Sequence, residues 1–492
     1  MTNVLVNLLN INTKNNLGQD LYNDSQPQFS FFKYVLRRNT NFFSGNINIY
    51  NNTANITNLD RLNLDIKLKD VINGDIDLLS DLYISFYLPD IYSNSKYKFK
   101  WVENIGALLI KEAIFTINSI DIDSFTGEWL CVWNELTSTN KDTFNKMTGN
   151  GIDINNPRTS ENIIRIKNNI ISDFDYPSSD KNNPNNPPSI PGKWISVQLP
   201  FWFTKAPNLA LPIFGNIWQK NEFNIKISFE NIENLYTIYS DVYNMNVSPS
   251  YYNSLHNNNI SIENFLKNNN ILINIIATVI LVDVNEKISI DNSCKSANGL
   301  IFLYEKVKKK TKEFEPLSTA LRTISIEPGF LIKEILWTLR RSDCISKFND
   351  TLNYSYNIPF NNENSILKKA SINWEGLEFM IETDSYYYNK IQPYQYHNAM
   401  PKQGIYIYSF SLLPSKSIHS GSYNSSYNSK DGININMHFN EYKPSVLDNM
   451  YQKKFNNSYI NNNTVNIESV LYIIEHNFLQ ISQYIIGLRF SS

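Results

Sequence analysis

Alternation of apolar and polar side chains dominates the 492-residue chain. Leu82, Ile84, Phe86 and Leu88 alternate with Tyr83, Ser85 and Tyr87, the period of a strand with one buried face, and Pro89 stops it. Phe223, Ile225, Ile227 and Phe229 alternate with Asn224, Lys226 and Ser228 in the same way. Near the C-terminal end, Gly404 opens a strand in which Tyr406, Tyr408, Phe410 and Leu412 share a face. After a polar loop, Asp431-Gly432 gives a tight-turn signal before Ile433, Ile435, Met437 and Phe439. These two runs predict one antiparallel sheet with one dry face. Ile271 to Val284 and Val465 to Phe490 are near-continuous apolar strand regions. A single helix stands out: Trp129, Val132, Trp133 and Leu136 fall at i, i+3, i+4 and i+7, Thr126 is its N-cap, and Ser138 to Asn140 ends it.

One stretch occurs twice. Leu109 to Ile117 reads LIKEAIFTI and Leu331 to Leu339 reads LIKEILWTL, at a separation of 331 − 109 = 222 positions. That spacing is one whole domain, and the chain exceeds what a single hydrophobic core serves. The pattern predicts an N-terminal arm at 1–27, a first domain at 28–233, a connection at 234–270 and a second domain at 271–492. Many short strands, with turn and loop signals between them and few helical patterns, predict two antiparallel β-sandwiches. Within the repeat each strand face begins with a charge and continues apolar, so the strand is expected to enter from solvent and end inside the sandwich. Lys111 and Lys333 should then occupy equivalent places. Ser172 to Gly192, rich in Pro, Asn and Ser, and Asn440 to Asn463 read as surface loops, and the charge run Tyr304 to Glu315 reads as a solvated face.

Composition removes several function classes. The formal net charge is −2 and the pI about 6.3, with basic residues scattered, so nucleic acid is not expected as the main partner. Arg37 and Arg38, flanked by aromatics in Phe29 to Phe43, read as a salt-bridge or subunit contact rather than a phosphate grip. Cys131, Cys294 and Cys344 are too few and too separated for a disulfide framework or a metal site and are expected to be reduced and buried. The start of the chain lacks a basic leader and no run of eighteen apolar residues occurs, which predicts a soluble, intracellularly made protein.

Candidate chemistry is sparse. No nucleophile elbow, zinc-protease, phosphate-loop or EF-hand spacing is present. His419 and His438 are placed to meet across a hairpin, but His438 is on a polar face. Asp121 and Asp123 share one strand face without a third ligand. The sequons at Asn55 and Asn424 are expected by chance in so Asn-rich a chain. Trp129, Trp133 and Trp202 admit two readings, a sugar-stacking platform or packing against a sandwich. No catalytic, cofactor-binding or metal residue is assigned, and no enzyme activity is expected.

Several ordered stretches together resemble the major capsid proteins of nucleocytoplasmic large DNA viruses, the family of iridoviruses, phycodnaviruses, asfarviruses and mimiviruses. They are FFKYVLRRNTNF at 31–42, IGALLIKEAIFTI at 105–117, GEWLCVWNELT at 127–137, LPFWFTKAPNLALP at 199–212 and GIYIYSFSLLPSKSIHSGSYN at 404–424. The resemblance implies an all-β double jelly roll: two tandem antiparallel eight-stranded sandwiches with short helices and long loops. It also implies a homotrimer of pseudo-hexagonal outline that tiles an icosahedral shell, in contact with neighbouring capsomers and with minor capsid and penton proteins. The N-terminal arm would face inward toward an internal viral membrane, and the protein would be made and assembled in host cytoplasm. Two other readings stay open: a carbohydrate-binding or glycan-active tandem jelly roll, and a membrane-shaping assembly scaffold absent from the virion.

Overall fold

The computed structural model describes residues 41–72, 76–93, 97–151, 154, 181–182, 188–240, 245–296, 299–315, 321–329, 331–357, 365–374, 377–416, 419–425, 432–440 and 466–488. The N-terminal arm, the Arg37-Arg38 pair, most of Ser172 to Gly192 and nearly all of Asn440 to Asn463 lie outside the described residues.

Sixteen strands form the two sandwiches. The first eight are β1 (Phe42–Asn55), β2 (Asn63–Lys67), β3 (Leu78–Leu88), β4 (Ile110–Ile117), β5 (Ile120–Phe125), β6 (Lys193–Gln198), β7 (Phe223–Phe229) and β8 (Asn270–Val282). They build sheets of order β1-β8-β3-β6 and β2-β7-β4-β5. The second eight are β9 (Leu300–Phe314), β10 (Arg322–Ile326), β11 (Leu331–Arg341), β12 (Leu367–Trp374), β13 (Leu377–Asp384), β14 (Ile405–Ser409), β15 (Ile433–Phe439) and β16 (Ile467–Ser482). Their sheets run β9-β16-β11-β14 and β10-β15-β12-β13, so the second pair repeats the first with every index raised by eight. All pairings are antiparallel, and each sandwich is an eight-stranded jelly roll.

Period-2 patterning put the right faces inside. Leu82, Ile84, Phe86 and Leu88 of β3, Phe223, Ile225, Ile227 and Phe229 of β7, and Ile433, Ile435, Met437 and Phe439 of β15 are all buried. The expected single sheet of 404–412 and 433–439 is corrected: β14 pairs with β11 and β15 with β10 and β12, so they lie in opposite sheets of one sandwich. Leu412 lies beyond the end of β14 and is exposed.

The domain boundary also moves. β8, read from sequence as the start of the second domain, pairs with β1 and β3 and completes the first sandwich. Its residues 271, 273, 275, 277 and 279 face the core while the opposite face carries Leu272, Ile276 and Ile280, which is why it read as a continuous apolar run. The stretch read as a connection is an insertion between β7 and β8, at 234–269. It holds Tyr236–Ser240 and Met245–Val247, which pair with each other, the former also with Phe99–Trp101. The link between sandwiches is 283–299, most of it a helix at Val284–Lys295.

The two LIKE copies do not mark equivalent strands. The first is β4, whose counterpart is β12; the second is β11, whose counterpart is β3. Lys111 is exposed and Lys333 is 1% exposed, so the expectation of equivalent lysines fails, and for β11 so does entry from solvent. What the copies share is local. In each, the register slips across the lysine, between Ile110 and Glu112 against β7 and between Ile332 and Glu334 against β16. The same four residues thus make the same bulge in two different strands.

Candidate functional site: the seam between the sandwiches

Residues that the sequence marked as possible chemistry converge on the surface where the two sandwiches meet. The helix α1 (Gly127–Thr137) follows β5, and Thr126 caps it by accepting the Trp129 N–H at 3.4 Å. Gly127 is dictated by space: a Cβ there would lie 1.9 Å from the Ala107 carbonyl oxygen. The helix is thereby pressed onto the turn before β4, and Glu128 and Trp129 carry its other side onto the second sandwich. Trp129 packs on Tyr472 of β16 at 4.9 Å between ring centroids and stacks on Trp133 at 5.3 Å.

Glu128, in the first turn, forms the centre of a buried charge cluster. Its carboxylate takes the Arg340 guanidinium of β11 at 2.7 Å and Lys309 of β9 at 3.2 Å, and accepts the Tyr354 hydroxyl at 3.4 Å. Arg340 also donates to Glu468 at 2.7 Å and to the Thr351 carbonyl at 2.8 Å. Burial alone would raise the Glu128 carboxyl, but Arg340 and Lys309 outweigh it and hold it below the ordinary value.

A second contact lies near the start of β9. Trp202, fully buried, sits 5.9 Å from Phe302 and 6.2 Å from Tyr304, and its backbone N–H donates to Asp123 at 2.8 Å. Asp123 is therefore a buried structural carboxylate, pushed by burial up to about 6, while Asp121 points to solvent. Lys205 reaches Glu305 of β9 at 3.2 Å, and the other Glu305 oxygen takes Lys333. On the same side His397 meets Glu334 at 2.9 Å, both buried, with the Trp133 ring edge-on at 5.9 Å.

Apolar packing closes the seam around these charges. Leu336, Ile405, Ile407, Val470, Tyr472 and Ile474 of the second sandwich belong to the core of the first, whereas Ile335, Trp337, Leu339, Leu471 and Ile473 face the second core. The sheet β9-β16-β11-β14 is thus covered on both sides, which is why apolar residues fall on both faces of β11 and β16. The charge run 304–315 is corrected accordingly. It is the outer strand β9, and Lys308, Lys309 and Lys310 pair with Glu475, Glu128 and Glu327.

The histidines do not meet: His419 packs on His476 at 4.9 Å and His438 faces Glu382 at 3.3 Å. Cys131, Cys294 and Cys344 are buried free thiols. Among the described residues no group of three or more His, Cys, Asp or Glu is arranged to hold a metal ion, and no helix is long and apolar enough to cross a membrane. The sugar-platform reading loses its support, because Trp129 and Trp202 are inside the seam. A cleft of about 340 Å³ beside Trp133 has Glu305 as its sole carboxylate, and Lys205 and Lys333 occupy both of that group's oxygens. Sequence reasoning found the tryptophans but not Arg340 or Glu305, because one partner of each, Glu128 and Lys205, lies in the other sandwich.

Comparison with known proteins agrees with this architecture. The profile for the N-terminus of major capsid proteins matches residues 30–276, and that for the large eukaryotic DNA virus major capsid protein matches 296–487. The gap between them, 277–295, takes in the end of β8 and most of the link. Probable capsid protein 4 of Acanthamoeba polyphaga mimivirus is 30% identical over 228 residues, 45% of this chain and 37% of that protein, so the chain spans well under half of that relative's length. The major capsid protein of Paramecium bursaria Chlorella virus 1 is 21% identical over 83% of this chain and 82% of its own. The crystal structure of PBCV-1 VP54 superimposes with a TM-score of 0.64 at 18% identity, covering 94% of this chain and all of that one. The Faustovirus major capsid protein gives 0.58 at 12% identity, with 93% of each chain covered. These relatives and structural neighbours are structural capsid proteins, not enzymes. With both sandwiches matched in order along its length, the chain belongs to the major capsid protein family of large eukaryotic DNA viruses.

Proposed function

We propose that three copies of this chain form a pseudo-hexagonal capsomer and that such capsomers tile an icosahedral shell. The observation that carries this reading is the repeated strand order: each chain supplies two lobes of the same topology side by side. Three chains then supply six similar lobes, an outline that packs a near-flat facet while needing only threefold symmetry. The function is mechanical, and the seam serves it by fixing the relation of one lobe to the other. Neighbouring capsomers, minor capsid and penton proteins are the expected partners, with the N-terminal arm turned inward toward an internal membrane and assembly in host cytoplasm. Electron microscopy of the purified protein tests the outline. Threefold particles with a hexagonal silhouette are expected, and a uniform field of single two-lobed particles would overturn the reading.

A further inference from the structure

Three polar side chains form a row on the seam face of β9, β16 and β11, which are neighbours in the sheet β9-β16-β11-β14. Glu305 of β9 and His476 of β16 are direct partners across their ladder, which places them on one face. On its other side β16 pairs with β11, where His476 stands opposite Leu331. Lys333 occupies the bulge two residues on, and its side chain crosses over β16 to pair with Glu305. The segment after β14 covers the row, with the His419 ring 4.9 Å from that of His476 and the Lys416 carbonyl accepting from Lys333 at 3.4 Å.

Each member is unusual for a structural ion pair. Lys333 is 1% and Glu305 8% exposed, so an ammonium and a carboxylate are both withdrawn from water, and their desolvation offsets most of their attraction. His476, 5% exposed, has a hydrogen-bond partner on neither ring nitrogen, although buried polar groups are ordinarily paired. Lys205 lies 3.2 Å from the second Glu305 oxygen and holds that carboxylate in a fixed orientation. A buried amine, a carboxyl held against it and an unengaged imidazole in the same row are the components of a condensation.

We propose that Lys333 and Glu305 join in an intramolecular amide, a covalent clasp that ties β9 to β11 across β16. A proton first moves from the Lys333 ammonium to Glu305 Oε1 within the ion pair, leaving an amine and a carboxylic acid. The amine Nζ attacks Cδ, and Lys205 stabilises the charge that builds on Oε2. His476 takes a proton from Nζ on one ring nitrogen and gives the proton on the other to Oε1; the Cδ–Oε1 bond breaks and the oxygen leaves as water. Ammonium and carboxylate thus become amide and water, with no oxidant, cofactor or change of net charge. In water, hydration favours the charged pair; here burial removes that advantage, and the neutral amide relieves the desolvation of both ions. The clasp fastens the outer strand β9, which carries the Glu305 and Lys309 contacts to the first sandwich, to the strand that carries Arg340.

Mass spectrometry of the purified full-length chain in denaturant tests this. The unsubstituted chain should fall about 18 Da, one water, short of its sequence mass, and Lys333→Arg, which keeps the charge but cannot form the amide, should not. A protease digest should yield Lys333 and Glu305 in one branched peptide. An unsubstituted chain of full mass, whose digest gives the two residues in separate linear peptides, overturns the clasp whether or not Lys333→Arg folds. The part given to His476 is read as a rate. In chains sampled during cell-free synthesis, His476→Gln should slow the loss of water about tenfold or more, with the circular dichroism spectrum of the purified chain unchanged. Equal rates would overturn the proton relay and leave the clasp standing.

Discussion

Arg340 is held in the seam because each of its contacts is a charge-assisted or carbonyl bond: Glu128 and Glu468 at 2.7 Å and the Thr351 carbonyl at 2.8 Å. A buried ion pair contributes little net stability, but removing one member leaves the other desolvated and unpaired. Arg340→Met should therefore destabilise the chain by about 3–5 kcal/mol in urea unfolding, because Glu468 loses its ion pair and Glu128 keeps only Lys309 and the Tyr354 hydroxyl. Adding Glu128→Gln and Glu468→Gln should recover most of that loss. Trp202 makes a different contribution, packing without a partner for its indole N–H. Trp202→Ala should cost about 3–5 kcal/mol through the cavity it leaves, read as a lower denaturation midpoint. Sequence alone carried one half of each story. The helical spacing of Trp129 and Trp133 and the Thr126 cap were legible because they are local. The Glu128–Arg340 pair was not, because its two members are brought together by the docking of one sandwich on the other.

At the level of elements, alternation identified β3, β7 and β15 correctly because each has one wet face. It marked β8, β11 and β16 as strands but could not say which face is buried, because apolar residues fall on both faces of each. The LIKE repeat misled for a related reason: four residues encode a bulge, not a place in a topology. The pairing of β9 with β16 yields a pH prediction. Burial pushes Glu475 up to about 7 despite Lys308 at 3.2 Å, burial likewise pushes Asp123 up to about 6, and burial pushes His476 down to about 4. The folded state takes up protons on the two carboxyls more readily than the unfolded chain, so their contribution grows as pH falls from about 7 toward 4. His476 acts oppositely, since it is neutral when folded and its contribution is lost as pH falls from 6.5 to about 4. Melting temperature should therefore rise modestly as pH falls from 7 to about 5, because two raised carboxyls outweigh one lowered imidazole. Scanning calorimetry of His476→Gln should reveal a melting temperature that rises on acidification, and Glu475→Gln one that falls.

For the whole molecule, two jelly rolls in tandem were legible from strand density, chain length and ordered family motifs. Their boundary was not, because a jelly roll closes with its last strand beside its first. β8 must cross back over the 234–269 insertion to pair with β1, so the end of the first domain lies far from its last obvious strand pattern. The same closure gives the chain two lobes of one topology, the basis of the claim that three chains make six. Light scattering on the purified full-length protein at low micromolar concentration tests that claim most directly. A mass three times the 57.1 kDa of one chain is the predicted result, and a stable species of 57.1 kDa would contradict it.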